Sequence, residues 1–150
     1  MDLPPPLAPQ TIADWERLAT ERPDDAQTLV GLANAYWLEG RGPQLVDDLA
    51  SRAKTIDPTN RGAWHLWALA ESSPRDRVAR WQHVTEHFPQ DDLAKAALAD
   101  NAASLAGAEH DPAALQLAIQ IYEQLFQTAR QPDQQIALRE AINTLKGWRL

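Results

Sequence analysis

His83 and His87 stand four residues apart with Glu86 beside the second. On a helix that spacing puts two imidazoles on one face, where they can share a metal ion. Zinc-protease chemistry needs another order, H-E-x-x-H, with the glutamate directly after the first histidine. Here the run is His83-Val84-Thr85-Glu86-His87, and no third ligand stands at a matching interval. An exposed polar face therefore explains the pair better than a metal-dependent enzyme does. Three carboxylate doublets, Asp24-Asp25, Asp47-Asp48 and Asp91-Asp92, are the other candidates for acid–base work. The first and last precede predicted helices, whose N-terminal N–H groups favour negative charge. Capping accounts for them better than catalysis. There is no cysteine, no serine in a G-x-S-x-G turn, and no phosphate-cradling run among the six glycines. The chain is read as non-enzymatic, with no cofactor and no metal.

The elements that carry these residues are marked by proline. Beyond Pro4-Pro5-Pro6 and Pro9, prolines stand at 23, 43, 58, 74, 89, 112 and 132, in steps of 20, 15, 16, 15, 23 and 20 residues. Each step is close to one helix plus one turn. Proline lacks an N–H and clashes inside a helix but suits the first helical turn. The spacing predicts a row of short helices, and that row implies a surface that holds another molecule.

Composition agrees. Ala, Leu, Gln and Glu dominate the 150 residues, and no long stretch alternates as a strand would. An all-α fold is expected, most simply one domain over 11–150 behind a proline-rich leader at 1–10. A domain of this size buries about two-thirds of its unfolded surface. The formal charge is −7, from 14 Lys plus Arg against 21 Asp plus Glu. Binding to a phosphate backbone runs on basic residues, so nucleic acid is not an expected partner. The basic cluster Arg75, Arg77, Arg80 reads as a solvated helix face. No stretch approaches ~18 apolar residues, so no membrane insertion by this chain is expected. The opening Met1-Asp2-Leu3 lacks the basic start and apolar run of a signal peptide. A cytoplasmic location is expected, or a periplasmic one if the chain is a domain of a longer anchored protein.

Eight helices are predicted. The first begins near Thr11, which can cap it with Asp14 as its box-like partner. Its stripe is Ile12, Trp15, Leu18 and Ala19. A second, capped by Asp24, runs to about Glu39 and stops at Gly40-Arg41-Gly42. The third runs from Pro43 to about Ile56, and the fourth spans about 61–71. Ser73 and Pro74 start the fifth, which ends at Phe88-Pro89. A longer pair follows at about 91–106 and 112–129, with Asp111 capping the latter. The last runs from Pro132 to about Lys146, where Gly147 suits a C-cap. Its stripe is Leu138, Ala141, Ile142 and Leu145.

Pro23 to Pro58 is 35 residues and Pro58 to Pro89 is 31, intervals that bracket a 34-residue repeat. The first unit reads Leu29-x2-Leu32-Ala33-x2-Tyr36 and closes on Ala53 and Asp57-Pro58. The second reads Trp64-x2-Trp67-Ala68, with Glu71 in the tyrosine position and Trp81 as the later aromatic. The third has Leu98-Ala99 and Ala118-x3-Tyr122. In these residues the chain resembles the tetratricopeptide repeat (TPR) family from about Pro23 to Pro132. The resemblance implies a right-handed α-solenoid of about three hairpins, at about 24–58, 59–89 and 90–132. Capping helices would lie at about 11–21 and 133–147. Ala33 and Ala68 are small enough to let paired helices approach, while Leu32, Trp64 and Trp67 would fill the space between hairpins. The runs Arg80-Trp81-Gln82-His83-Val84, Phe88-Pro89-Gln90-Asp91-Asp92 and Ala118 to Leu125 also resemble bacterial repeats, among them the TPR domains of cytochrome c maturation factors.

In that family the first helices of the hairpins line a concave groove for a peptide or helix. The matching positions here are Gln27, Val30, Asn34, Trp37 and Leu38, then His65 and Leu69, then Ala96, Asp100 and Ala103. Asn34 matches the position where chaperone-binding members hold a terminal carboxylate. Those members need basic residues beside it, and the preceding turn offers Val30, so chaperone C-termini are not the expected ligand. Of the tryptophans, Trp15, Trp64, Trp67 and Trp81 are expected in the core. Trp37 points toward the groove as a candidate anchor, and Trp148 is either a cap contact or an exposed tail. The leading expectation is an adaptor that binds a protein or peptide partner, probed by Trp37→Ala. The alternative is a structural subunit of a larger assembly, a homo-oligomer among the options.

Overall fold

The computed structural model describes residues 8–150. Residues 1–7, which hold most of the expected proline-rich leader, lie outside the described residues. Eight α-helices and no strand are present among those described.

Local chemistry sets the helix ends. In α1 (Ile12–Glu21) the Thr11 hydroxyl accepts from the Asp14 N–H at 3.1 Å, and the Asp14 carboxylate accepts from the Thr11 N–H at 3.3 Å. The backbone N–H of Gln10, then the Thr11 hydroxyl, hold the Asp14 carboxyl below its ordinary value. Helix α2 (Ala26–Glu39) begins one residue later than expected, with Asp25 and not Asp24 at its N-cap. The Asp25 carboxylate accepts from the Thr28 hydroxyl instead of a backbone N–H. Gly40 closes α2 at φ 70°, a left-handed conformation that glycine adopts without a Cβ penalty. Pro43 opens α3 (Pro43–Ile56), and Asn60 caps α4 (Arg61–Leu69) by accepting from the Ala63 N–H at 3.1 Å.

Ser73 and Pro74 start α5 (Pro74–His87), as expected. Asp91 caps α6 (Asp92–Glu109), and Asp111 caps α7 (Pro112–Thr128) through the N–H groups of Ala113 and Ala114. Helix α6 runs three residues past its expected end because His110, not an earlier break, terminates it. His110 sits at φ 52°, where an L side chain costs about 1 kcal/mol. His110→Gly is therefore expected to raise stability by up to about 1 kcal/mol, read as a higher urea midpoint. Pro132 stands at N1 of α8 (Pro132–Lys146), so it opens a helix as Pro43, Pro74 and Pro112 do. Gly147 follows at φ −83°, right-handed, so the C-cap there does not use glycine's freedom.

The chain divides into two compact units, residues 1–70 and 71–150, and the boundary falls inside the segment 59–89 expected to form the second repeat. In the first unit α1 packs on α2, α2 on α3, α3 on α4, and α2 also on α4. Two clusters fill it, one around Ala33, Val46, Ala50, Leu66 and Ala70, the other around Ala26, Leu29, Ala53 and Ala63. Ala33 is fully buried against α3, where its methyl lets the paired helices approach. In the second unit α5 packs on α6, α6 on α7, and α7 on α8. Its buried positions include Val78, Trp81, Val84, Leu98, Ala102, Leu105, Leu125, Ile142 and Leu145. Trp148 is a cap contact: its ring is half-buried, and a Cβ on Gly107 would lie 3.4 Å from it.

Candidate functional site

Helix α2 buries Ala26, Leu29, Leu32 and Ala33 and turns Gln27, Asn34, Trp37 and Leu38 outward. The outward set recurs at helical spacing, so it forms one stripe with half-buried Val30 along it. Val30 touches both core clusters, and its Cγ1 would lie 3.3 Å from a Cβ on Gly62, so it forms floor between α2 and α4. Gln27 Oε1 accepts from Asn60 Nδ2 at 3.1 Å, which ties α2 to the cap of α4. On α4, His65 is half-buried and Leu69 exposed. Within the first unit the structure thus brings Gln27 and Val30 to the α2–α4 junction. Further along α2, Trp37 is 40% exposed and Leu38 78%, while Leu69 is 37% exposed. Trp37 is not core.

On the other side of the stripe, α1 and α2 bound an open cleft of about 500 Å³, lined by Ile12, Trp15, Gly31, Asn34, Ala35 and Leu38 with a polar rim of Gln10, Thr11 and Glu39. The Trp15 ring lies over Gly31 so closely that a Cβ at that position would overlap it. Glycine is needed here for close approach and not for its backbone freedom.

The expected core tryptophans divide. Trp81 is buried, but Trp15, Trp64 and Trp67 are only half-buried. Trp64 and Trp67 meet edge to face, with ring centres 5.7 Å apart. The Lys54 ammonium stands 4.5 Å from the Trp64 ring centre and 3.8 Å from that of Trp67. A cation held over two rings gains from their quadrupoles. The Trp64 N–H donates to the Pro58 carbonyl at 2.9 Å. The role of Lys54 is not visible in the sequence because its partners lie on the next helix, and only its place in the last turn of α3 hints at a structural task.

In the second unit, Ala96 and Ala103 on α6 are half-buried and Asp100 is exposed. The Tyr122 hydroxyl, on α7, donates to the Asp100 carboxylate. Burial first, and then this bond to a carboxylate, push the Tyr122 pKa above its ordinary value of 10.0. A group with a raised folded-state pKa adds stability below its unfolded pKa and loses it as pH rises through the folded one. Stability should therefore decline above about pH 10, and Tyr122→Phe should flatten that limb in thermal melts taken from about pH 8 to 11.

Each basic residue near the start of α5 is bonded within the second unit. Arg75 pairs with Glu109 and Asp111, Arg77 donates to the Glu71 carbonyl at 2.7 Å, and Arg80 pairs with Glu71 at 3.0 Å. His83 and His87 are exposed, and Glu86 lies 3.8 Å from His83 Nδ1. No group of three ligating side chains able to hold a metal occurs among the described residues. No helix among them is long and apolar enough to cross a membrane.

No family model matches the sequence, and no curated protein matches it. Among solved structures, the crystal structure of MamA, a TPR-containing protein, is similar. The TM-score is 0.59 at 13% identity, over 90% of this chain and 84% of that one. The fold is all-α and of TPR type.

Proposed function

We propose that the chain is a non-catalytic adaptor that captures a peptide or helix of a partner protein on the outward face of α2 and α4. One observation carries this reading. Trp37, Leu38 and Leu69 stay exposed on helices whose other faces are buried. Large apolar side chains left in water on ordered helices are the raw material of interface hot spots. Asn34 and His65, on the same two helices, give register through hydrogen bonds. In the second unit Ala96 and Asp100 offer a further contact surface, with Asp100 held in place by Tyr122. TPR-type folds serve as interaction modules, which agrees with this reading. The bacterial-repeat phrasing at 80–92 and 118–125 supports a role in complex assembly of the kind served by cytochrome c maturation factors.

The test is capture of a partner from the native organism on immobilised protein. Leu69→Arg puts a charge on an already exposed site, so it should leave the fold intact and abolish retention. Unchanged retention would sink the α2–α4 reading. A structural-subunit reading draws on Leu93 of α6 and Ile136 of α8, which are also large, apolar and exposed. It requires a stable oligomer at two concentrations in light scattering.

A further inference from the structure

We propose that the partner segment captured on the α2–α4 face is uncharged along its contact, so that recognition there uses apolar area and neutral hydrogen bonds and no ion pair. The inference rests on the adaptor reading above and specifies the partner's chemistry.

The observation is where charge is missing. Asp, Glu, Lys and Arg make up 23% of the chain. None of them falls between Gln27 and Leu38 of α2, nor between Gly62 and Leu69 of α4. At about 1.5 Å per residue, the α2 stretch alone is about 16 Å long. The outward positions of a surface helix are where charge ordinarily collects. Here they hold Asn34, Trp37, Leu38 and Leu69 instead. Charge returns only at the helix ends. Arg61 is the first residue of α4, and Glu39, the last of α2, is bonded to Arg41 at 2.9 Å. The floor between the two helices is neutral as well. Val30 approaches Gly62, Gln27 is bonded to Asn60, and Ala33 and Leu66 fill the core below.

A carboxylate or ammonium pressed against this face would lose water and gain no opposite charge. Apolar side chains carry no such penalty, and they would cover the exposed areas of Trp37, Leu38 and Leu69. The exposed Asn34 amide offers both donors and an acceptor, which a backbone amide, hydroxyl or carboxamide of the partner can answer. Cores of protein interfaces are depleted in charge for the same reason.

Photo-crosslinking identifies the occupant. Leu69→benzoylphenylalanine, introduced into the full chain in the native organism, joins the chain to whatever covers the face, and mass spectrometry reads the joined peptide. That peptide should have no charged residue at the joined position or beside it on the same face, i±3 and i±4 in a helix or i±2 in an extended segment. A charged residue at those places would overturn the proposal and leave the adaptor reading standing. A product between two copies of the chain would overturn it too. If nothing is joined, the adaptor reading falls, and this inference with it.

Two further readouts use the partner so identified. They are made at pH 8, where an ordinary imidazole is neutral, because His65 lies half-buried on α4. Retention on immobilised chain should change by less than about twofold between about 50 and 500 mM NaCl, since there is no ion pair to screen. A fall of about tenfold would overturn the proposal. Asn34→Asp and Asn34→Lys should each weaken retention by about tenfold or more, because a charge of either sign is stranded, while Asn34→Ser should keep it within about threefold. Tighter retention by either charged variant would reveal the opposite charge on the partner and overturn the proposal.

Discussion

Trp81→Ala is expected to cost the second unit about 3–5 kcal/mol, the range for emptying a large aromatic site in a packed core. The ring is 2% exposed on α5, with Val78 and Val84 buried on the same helix face. Small domains hold only about 5–15 kcal/mol in total, so the loss is a large share of stability. The helices around it should remain well capped, because the Ser73 hydroxyl accepts from the Asp76 N–H and the Asp91 carboxylate from the Ala94 N–H regardless of the ring. Urea unfolding followed by circular dichroism should show a much lower midpoint. A loss below about 1 kcal/mol would mean that the site collapses onto the void, or that the ring is not a packing element.

Trp37→Ala should do the opposite, weakening partner capture by about thirtyfold or more, equivalent to about 2 kcal/mol, while leaving helicity nearly intact. Tryptophan loses little side-chain entropy on binding and offers a large apolar face. With 40% of its surface exposed, Trp37 has area to give to a partner. The part already packed sets a stability loss of about 2 kcal/mol, smaller than that of Trp81→Ala. The two quantities are read separately, by calorimetry against the captured partner and by thermal melting of the free chain. A melt as damaged as that of Trp81→Ala would place Trp37 in the core and end its role as an anchor.

The candidate site is named from the resemblance to the TPR family, and helical periodicity agrees with it in outline on α2. Gln27, Asn34, Trp37 and Leu38 are outward since Leu29, Leu32 and Ala33 must be inward, and three apolar residues at that spacing leave little choice of face. The partners of those residues are not legible. Nothing in the neighbourhood of Asp100 points to Tyr122, 22 residues away on α7. Nothing around Gly31 shows that Trp15 lies over it, and the resulting cleft appears in no repeat pattern.

Elsewhere the division has the same cause. Helix number, most helix ends and most caps are determined by sequence alone, because a cap bond or a proline acts within about four residues. Thr11, Ser73, Asp91 and Asp111 do what their positions predict. Asp24 yields the N-cap to Asp25, and His110 carries α6 past its expected stop, since small shifts of register cost little locally. Burial belongs to the tertiary structure. Trp64, Trp67 and Trp81 share a residue type and the same expectation, yet Trp81 is enclosed while the other two stay half-buried under Lys54. A tryptophan's fate depends on which helix packs over it, and that is decided by contacts between segments and not by the residue's own neighbours in the chain.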